Sequence, residues 1–198
     1  SNHEPNPMIR VFASPLRHIV ATIAAVTAIG VSWEAHPAAA QVVDGVLAFP
    51  GAEGAGRLAL GGRGGRILRV THLGDSGPGS LRAAVEADGP RTVIFDIGGV
   101  IRLASPLTVR RGRITIAGQT APGGGITLRD HPLVVAADDV VIRHLRSRLG
   151  DESGVEADAV SVERGRRIIL DHISASWSVD ETLSVGSRYS PPERGIYD

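Results

Sequence analysis

Four carboxylates gather in one short part of this chain. Glu156 and Asp158 lie in "VEADAVSV", and Asp180 and Glu181 lie in "DHISASWSVDETLSV". An all-oxygen donor set without His or Cys suits Ca²⁺, which takes about six to eight oxygens, some from water. The same acids could equally be hydrated surface. Upstream, Arg143, Arg146 and Arg148 stand in "IRHLRSRLGDE". They could pair with Asp151, Glu152 or Asp171, or face an anionic ligand, for which Arg146 and Arg148 are the candidates. His144 and His172 have no partner at acid–base spacing, and read as packed ladder residues. Trp177 could stack on a sugar or simply pack. No G-x-S-x-G elbow supports Ser176 or Ser178 as a nucleophile. "GAEGAG" and "GGRGG" lack the lysine and the strand–loop–helix frame of a phosphate loop, so they read as turns. No residue is assigned as the catalytic acid or base.

Composition narrows the setting. The 198 residues allow one domain with a real core. Formal charge is zero, but residues 1–150 carry 16 Arg against 11 carboxylates, and residues 151–198 carry 5 against 10. No basic block interleaved with aromatics appears, so nucleic acid is not an expected partner. Cysteine is absent, which excludes disulfides and thiolate metal sites. Met8 opens a basic stretch ending near Arg17, followed by the apolar run "IVATIAAVTAIGVSW" and then "EAHPAAAQ". The run is short for a membrane span, and Ala38-x-Ala40 suits a signal peptidase. We expect residues 1–40 to be upstream residues and a signal peptide. The mature protein is then secreted, with no membrane attachment.

The acids need elements that bring them together. "GSLRAAVEA" predicts one helix over Gly79–Ala87, with Ser80 as N-cap and Gly89-Pro90 as its stop. Short β-branched runs dominate the rest. "LTVRRGRITIAG", "LVVAADDVVIRH" and "VSVERGRRIILDH" superimpose: a short apolar strand, a polar turn, a second apolar strand. Ile114, Val140 and Ile168 align, as do Ile116, Ile142 and Leu170. Spacings of this kind point to a solenoid. A leucine-rich repeat would need a regular L-x-x-L-x-L pattern, and a β-sandwich would need longer hairpin strands. The expected fold is all-β: a right-handed parallel β-helix over residues 41–198, its N-terminal end covered by the short helix. In it His144 stacks over His172 at an internal position. "LSV" at Leu183 restarts the cycle begun at Val160, so Ser184 falls over Ser161. Asp158 becomes level with Glu181, and Asp180 sits beside Glu156. Like charges on adjacent strands repel, and a cation relieves that.

"AFPGAEGAGRLALGGRGG", "VTHLGDSGPGSLRAAVEADGPRTVIFDIGGVIRL", "ITIAGQTAPGGGITL" and "DHISASWSVDETLSV" together resemble secreted bacterial pectate lyases. The resemblance implies calcium-dependent β-elimination of polygalacturonate by a monomer. It places Asp158 and Asp180 at calcium-ligand positions and Glu156 where a further acid can occur. At Ser184 the family often has Asp, a gap that Glu181 could compensate. The family's base is an arginine in an R-x-P-R-like stretch that this chain lacks; Arg188 and Arg194 do not match it. We therefore expect a chain incomplete at its C-terminus, with weak or no turnover. The rivals are a non-catalytic β-helical carbohydrate-binding module and a β-helical glycoside hydrolase. The latter needs paired acids, which Asp180 and Glu181 supply poorly if a strand points them to opposite faces.

Overall fold

A computed structural model describes residues 45–186. The expected signal peptide, Arg188 and Arg194 lie outside the described residues. Strand β1 (Arg66–Val70) and helix α1 (Leu81–Glu86) come first. Four coils of three strands follow. They are β2 (Arg91–Phe95), β3 (Gly99–Arg102) and β4 (Leu107–Val109); then β5 (Ile114–Ala117), β6 (Ile126–Arg129) and β7 (Leu133–Ala136). Next come β8 (Val140–Arg143), β9 (Leu145–Arg148) and β10 (Val160–Arg164), and last β11 (Ile168–Asp171), β12 (Ser174–Ser176) and β13 (Leu183–Val185).

The strands stack into three sheets. Sheet A runs β1-β2-β5-β8-β11, sheet B runs β3-β6-β9-β12, and sheet C runs β4-β7-β10-β13. Every pairing is parallel. The chain visits A, B and C once per coil, which is a right-handed parallel β-helix. The anticipated register holds: Ile114 and Ile168 both pair with Val140, Ile116 and Leu170 with Ile142, Val160 with Leu183, and Ser161 with Ser184.

Period-2 alternation explains the core. Ile114 and Ile116, Ile126 and Leu128, and Leu133 and Val135 point inward and are buried, rung upon rung. The residues between them, such as Thr115 and Thr127, face outward. Helix α1 sends Leu81, Ala84 and Val85 into the same core. The hydroxyl of its N-cap Ser80 accepts a hydrogen bond from the Ala83 amide at 3.1 Å. Arg91 is fully buried beneath it and donates to the carbonyls of Ala84, Val85, Gly89, Arg111 and Gly112.

One feature extends the sequence reading, in which the glycine-rich stretches are turns, and one departs from it. The glycine-rich N-terminal stretches lie against the outer face of sheet A. A Cβ on Gly56 would come within 2.0 Å of the Ile168 carbonyl oxygen, and one on Gly62 within 2.0 Å of that of Arg91. Close approach, not anion binding, is what these glycines permit. The histidine ladder lies outside the core: the rings of His144 and His172 stack at 4.4 Å, and the His172 side chain is 64% exposed. Both residues sit at the corner between sheets A and B with φ of 54°. A corner breaks the alternation that would have pointed them inward. Among the described residues, no helix is long and apolar enough to cross a membrane.

Candidate metal centre

The connection from β9 to β10 delivers Asp158 to the head of sheet C, and that from β12 to β13 delivers Asp180 and Glu181 one rung later. Ligand oxygens of these three residues lie within 4.8 Å of one another. At about 2.3–2.6 Å per Ca–O bond, opposite ligands of one ion stand about 4.6–5.2 Å apart, so the span fits a single calcium. Glu156 is exposed and falls outside this group.

The rung stacking fixes Asp158. Its carboxylate accepts hydrogen bonds from Ser161 Oγ at 2.5 Å, from Ser184 Oγ, and from the Glu181 amide at 3.3 Å. Burial pushes the Asp158 carboxyl up, but the two serine hydroxyls and Glu181 outweigh it and hold the group below its ordinary value. Glu181 goes the other way: the Asp158 carboxylate beside it raises its carboxyl, and Asp180 adds to this. Three carboxyls thus crowd together, one retaining its proton most readily, and a divalent cation would relieve the conflict. The two serines were legible only as stacked neighbours; their role as donors to Asp158 follows from the rung geometry. Asp180 and Glu181 precede β13 and do not belong to a strand, so the opposite-faces argument against their acting together fails.

A second group, His144, Asp171 and His172, also brings ligand atoms together. Asp171 is already engaged by Arg143 Nε at 2.6 Å and His172 Nδ1 at 2.8 Å. The two imidazole rings stack face to face, 4.4 Å apart and 19° from parallel. Arg143 also lies 3.8 Å over the Phe49 ring, which closes the cluster as packing.

The arginines divide. Arg143 takes Asp171, one of its expected partners. Arg129, not Arg146 or Arg148, takes Glu152. Arg146 donates to Thr127 Oγ1 at 3.0 Å and to the Gly124 carbonyl. Arg148 donates to Ser174 Oγ at 2.8 Å and to the Ser174 and Ser147 carbonyls. Both line a cleft of about 810 Å³ on sheet B, together with Trp177.

No protein-family model matches the chain. It is 47% identical over 146 residues to a probable pectate lyase C of Aspergillus fumigatus, a match covering 73% of this chain and 34% of the relative. It is 48% identical over 141 residues to the probable pectate lyase C of Emericella nidulans, covering 71% and 33%. A probable pectate lyase 8 of Arabidopsis thaliana is 31% identical over 147 residues, covering 64% and 35%. The chain thus spans about a third of the length of the curated relatives it matches. Among solved structures, jun a 1, the major allergen from cedar pollen, superposes with a TM-score of 0.56 at 25% identity, covering 68% of this chain and 44% of that one. These relatives are fungal and plant proteins, and a bacterial source stays an expectation. Over the stretch they share, the relatives and the solved neighbour together support kinship with the pectate lyases.

Proposed function

We propose that this chain is part of a secreted, calcium-dependent pectate lyase that cleaves polygalacturonate by β-elimination. The observation that carries the metal is the convergence of Asp158, Asp180 and Glu181 within 4.8 Å at the head of sheet C. Asp158 and Asp180 would supply ionised oxygens, with Glu181 joining once its proton is displaced. Glu156, exposed on the same connection, would be an outer ligand reaching the ion through water. Ser161 and Ser184 orient the Asp158 carboxylate. When bound, calcium draws electron density from a uronate carboxylate and so acidifies the adjacent C–H. No side chain here is assigned as the base, and turnover is proposed of the whole protein.

Isothermal titration with calcium tests this reading. The expected outcome is binding to the full chain that weakens at least about tenfold in Asp158→Asn, since ligand charge sets affinity in such sites. Release of unsaturated uronate product, followed with and without chelator, tests the reaction. Failure to bind calcium would refute the proposal.

A further inference from the structure

The outer face of sheet B carries a groove that the metal centre does not use. Val100 pairs with Thr127, and Thr127 with Arg146, on three successive rungs. These three residues floor two adjoining depressions, of about 810 and 430 Å³. The floor therefore runs across the strands, about 10 Å from first rung to third at about 4.8 Å per rung. One wall is the glycine-rich turn Pro122–Gly125, and the other begins with Gly150 and continues to Trp177.

The charges in the groove are unevenly matched. Arg102, Arg129 and Arg148 stack in register down the same sheet. Asp130 accepts from Arg102 at 2.7 Å and from Arg129 at 2.9 Å, and Glu152 also holds Arg129. Arg148 and Arg146 have only hydroxyl and carbonyl acceptors; among the described residues, neither has a carboxylate within 4.0 Å. The two guanidiniums face outward two residues apart on β9. Asp151 lines the wall but engages neither of them.

Trp177 gives the groove an aromatic edge. It follows β12 as Asp130 follows β6 and Leu149 follows β9. Trp177 stands on the outermost described rung of sheet B and is 72% exposed. It also holds φ of 60°, which is unfavourable for a bulky side chain. An exposed indole beside unmatched guanidiniums suits a sugar ring bearing a carboxylate: the ring stacks on the indole, and the acid takes a bidentate arginine contact.

We propose that sheet B carries a second binding site, for a carboxylated glycan, in which Arg146 and Arg148 hold the carboxylates and Trp177 stacks on a ring. The site rests on the groove itself; only the choice of a uronate as probe rests on the function proposed above. It needs no metal, which separates it from the centre at Asp158.

The test is titration of the full chain with de-esterified oligogalacturonate in excess chelator, with the methyl-esterified oligosaccharide alongside. Binding should persist in chelator and be about tenfold weaker for the methyl ester, because the charge-assisted contacts are lost. The double variant Arg146→Gln, Arg148→Gln should lose a similar factor, and Trp177→Ala a smaller one. Trp177 is exposed, so its truncation should leave the thermal midpoint unchanged and keep the test valid even if the double variant folds poorly. Abolition of binding by chelator, equal affinity for the methyl ester, or unchanged affinity in Trp177→Ala would each overturn the proposal. Groove binding lost with calcium binding intact sinks this site alone; calcium binding lost with the groove intact sinks the metal reading alone.

Discussion

Asp158 shows how a single carboxylate is held in its ionised form. Two hydroxyls from successive rungs and one amide are aimed at it, and each favours the ionised form. Ser184 stands directly over Ser161, and its hydroxyl donates to the Asp158 carboxylate. Replacing it by aspartate should therefore act in opposite directions under two conditions. In chelator, Ser184→Asp adds a fourth negative charge and removes a donor, and should destabilise the fold by about 1 kcal/mol. In calcium it adds a ligand, and the affinity should rise about tenfold, or roughly 1.4 kcal/mol. Urea midpoints with and without calcium, together with a calcium titration, would read both effects. Unchanged calcium affinity would mean that Ser184 lies outside the ligand sphere.

At the level of elements, the corners matter as much as the strands. Arg113, Asp139 and Arg167 each precede a strand of sheet A in the left-handed region, with φ of 53°, 56° and 52°. Asp139 accepts two hydrogen bonds from Arg167, at 2.7 and 2.6 Å, and one from the Leu60 amide at 3.0 Å. It thereby ties the N-terminal stretch onto sheet A. Burial pushes its carboxyl up, and Arg167, the Leu60 amide and Arg113 more than reverse that, leaving it below its ordinary value. A carboxyl lowered on folding contributes stability above its unfolded pKa, near 4, and loses it as pH falls through the folded value. Asp139→Asn should thus cost about 2 kcal/mol at pH 7 and progressively less below about pH 4. Urea midpoints at both pH values would show it, and an equal loss at each would mean that packing, not charge, holds the corner. Such contacts were not legible in the sequence. Leu60 meets Asp139 once, with no repeat to reveal it, and the histidine pair was stacked correctly but given the wrong face. The strand register was legible because Ile114, Val140 and Ile168 restate one position on three rungs. The acids at Asp158, Asp180 and Glu181 inherited that register, whereas the partners of Arg146 and Arg148 depended on loops that do not repeat.

For the whole stack, stability should depend on how many rungs cover a residue. Each rung contacts only its neighbours, so a solenoid gains most where a side chain is sandwiched on both sides. Ile142 lies in β8 between Ile116 and Leu170 and is fully buried. Leu183 occupies the outermost described rung of sheet C and is 44% exposed, and Val185 beside it is 55% exposed. Truncating Ile142 to alanine removes the same number of carbons as truncating Leu183, yet it opens a cavity that two rungs must tolerate. Ile142→Ala should therefore cost about 3 kcal/mol, and Leu183→Ala less than about 1 kcal/mol, measured as shifts in urea midpoint. The comparison also reports on the end of the stack. If Leu183→Ala proves as costly as Ile142→Ala, its rung is covered in solution, and the head of sheet C, where Asp158 and Glu181 meet, is more enclosed than these coils alone make it.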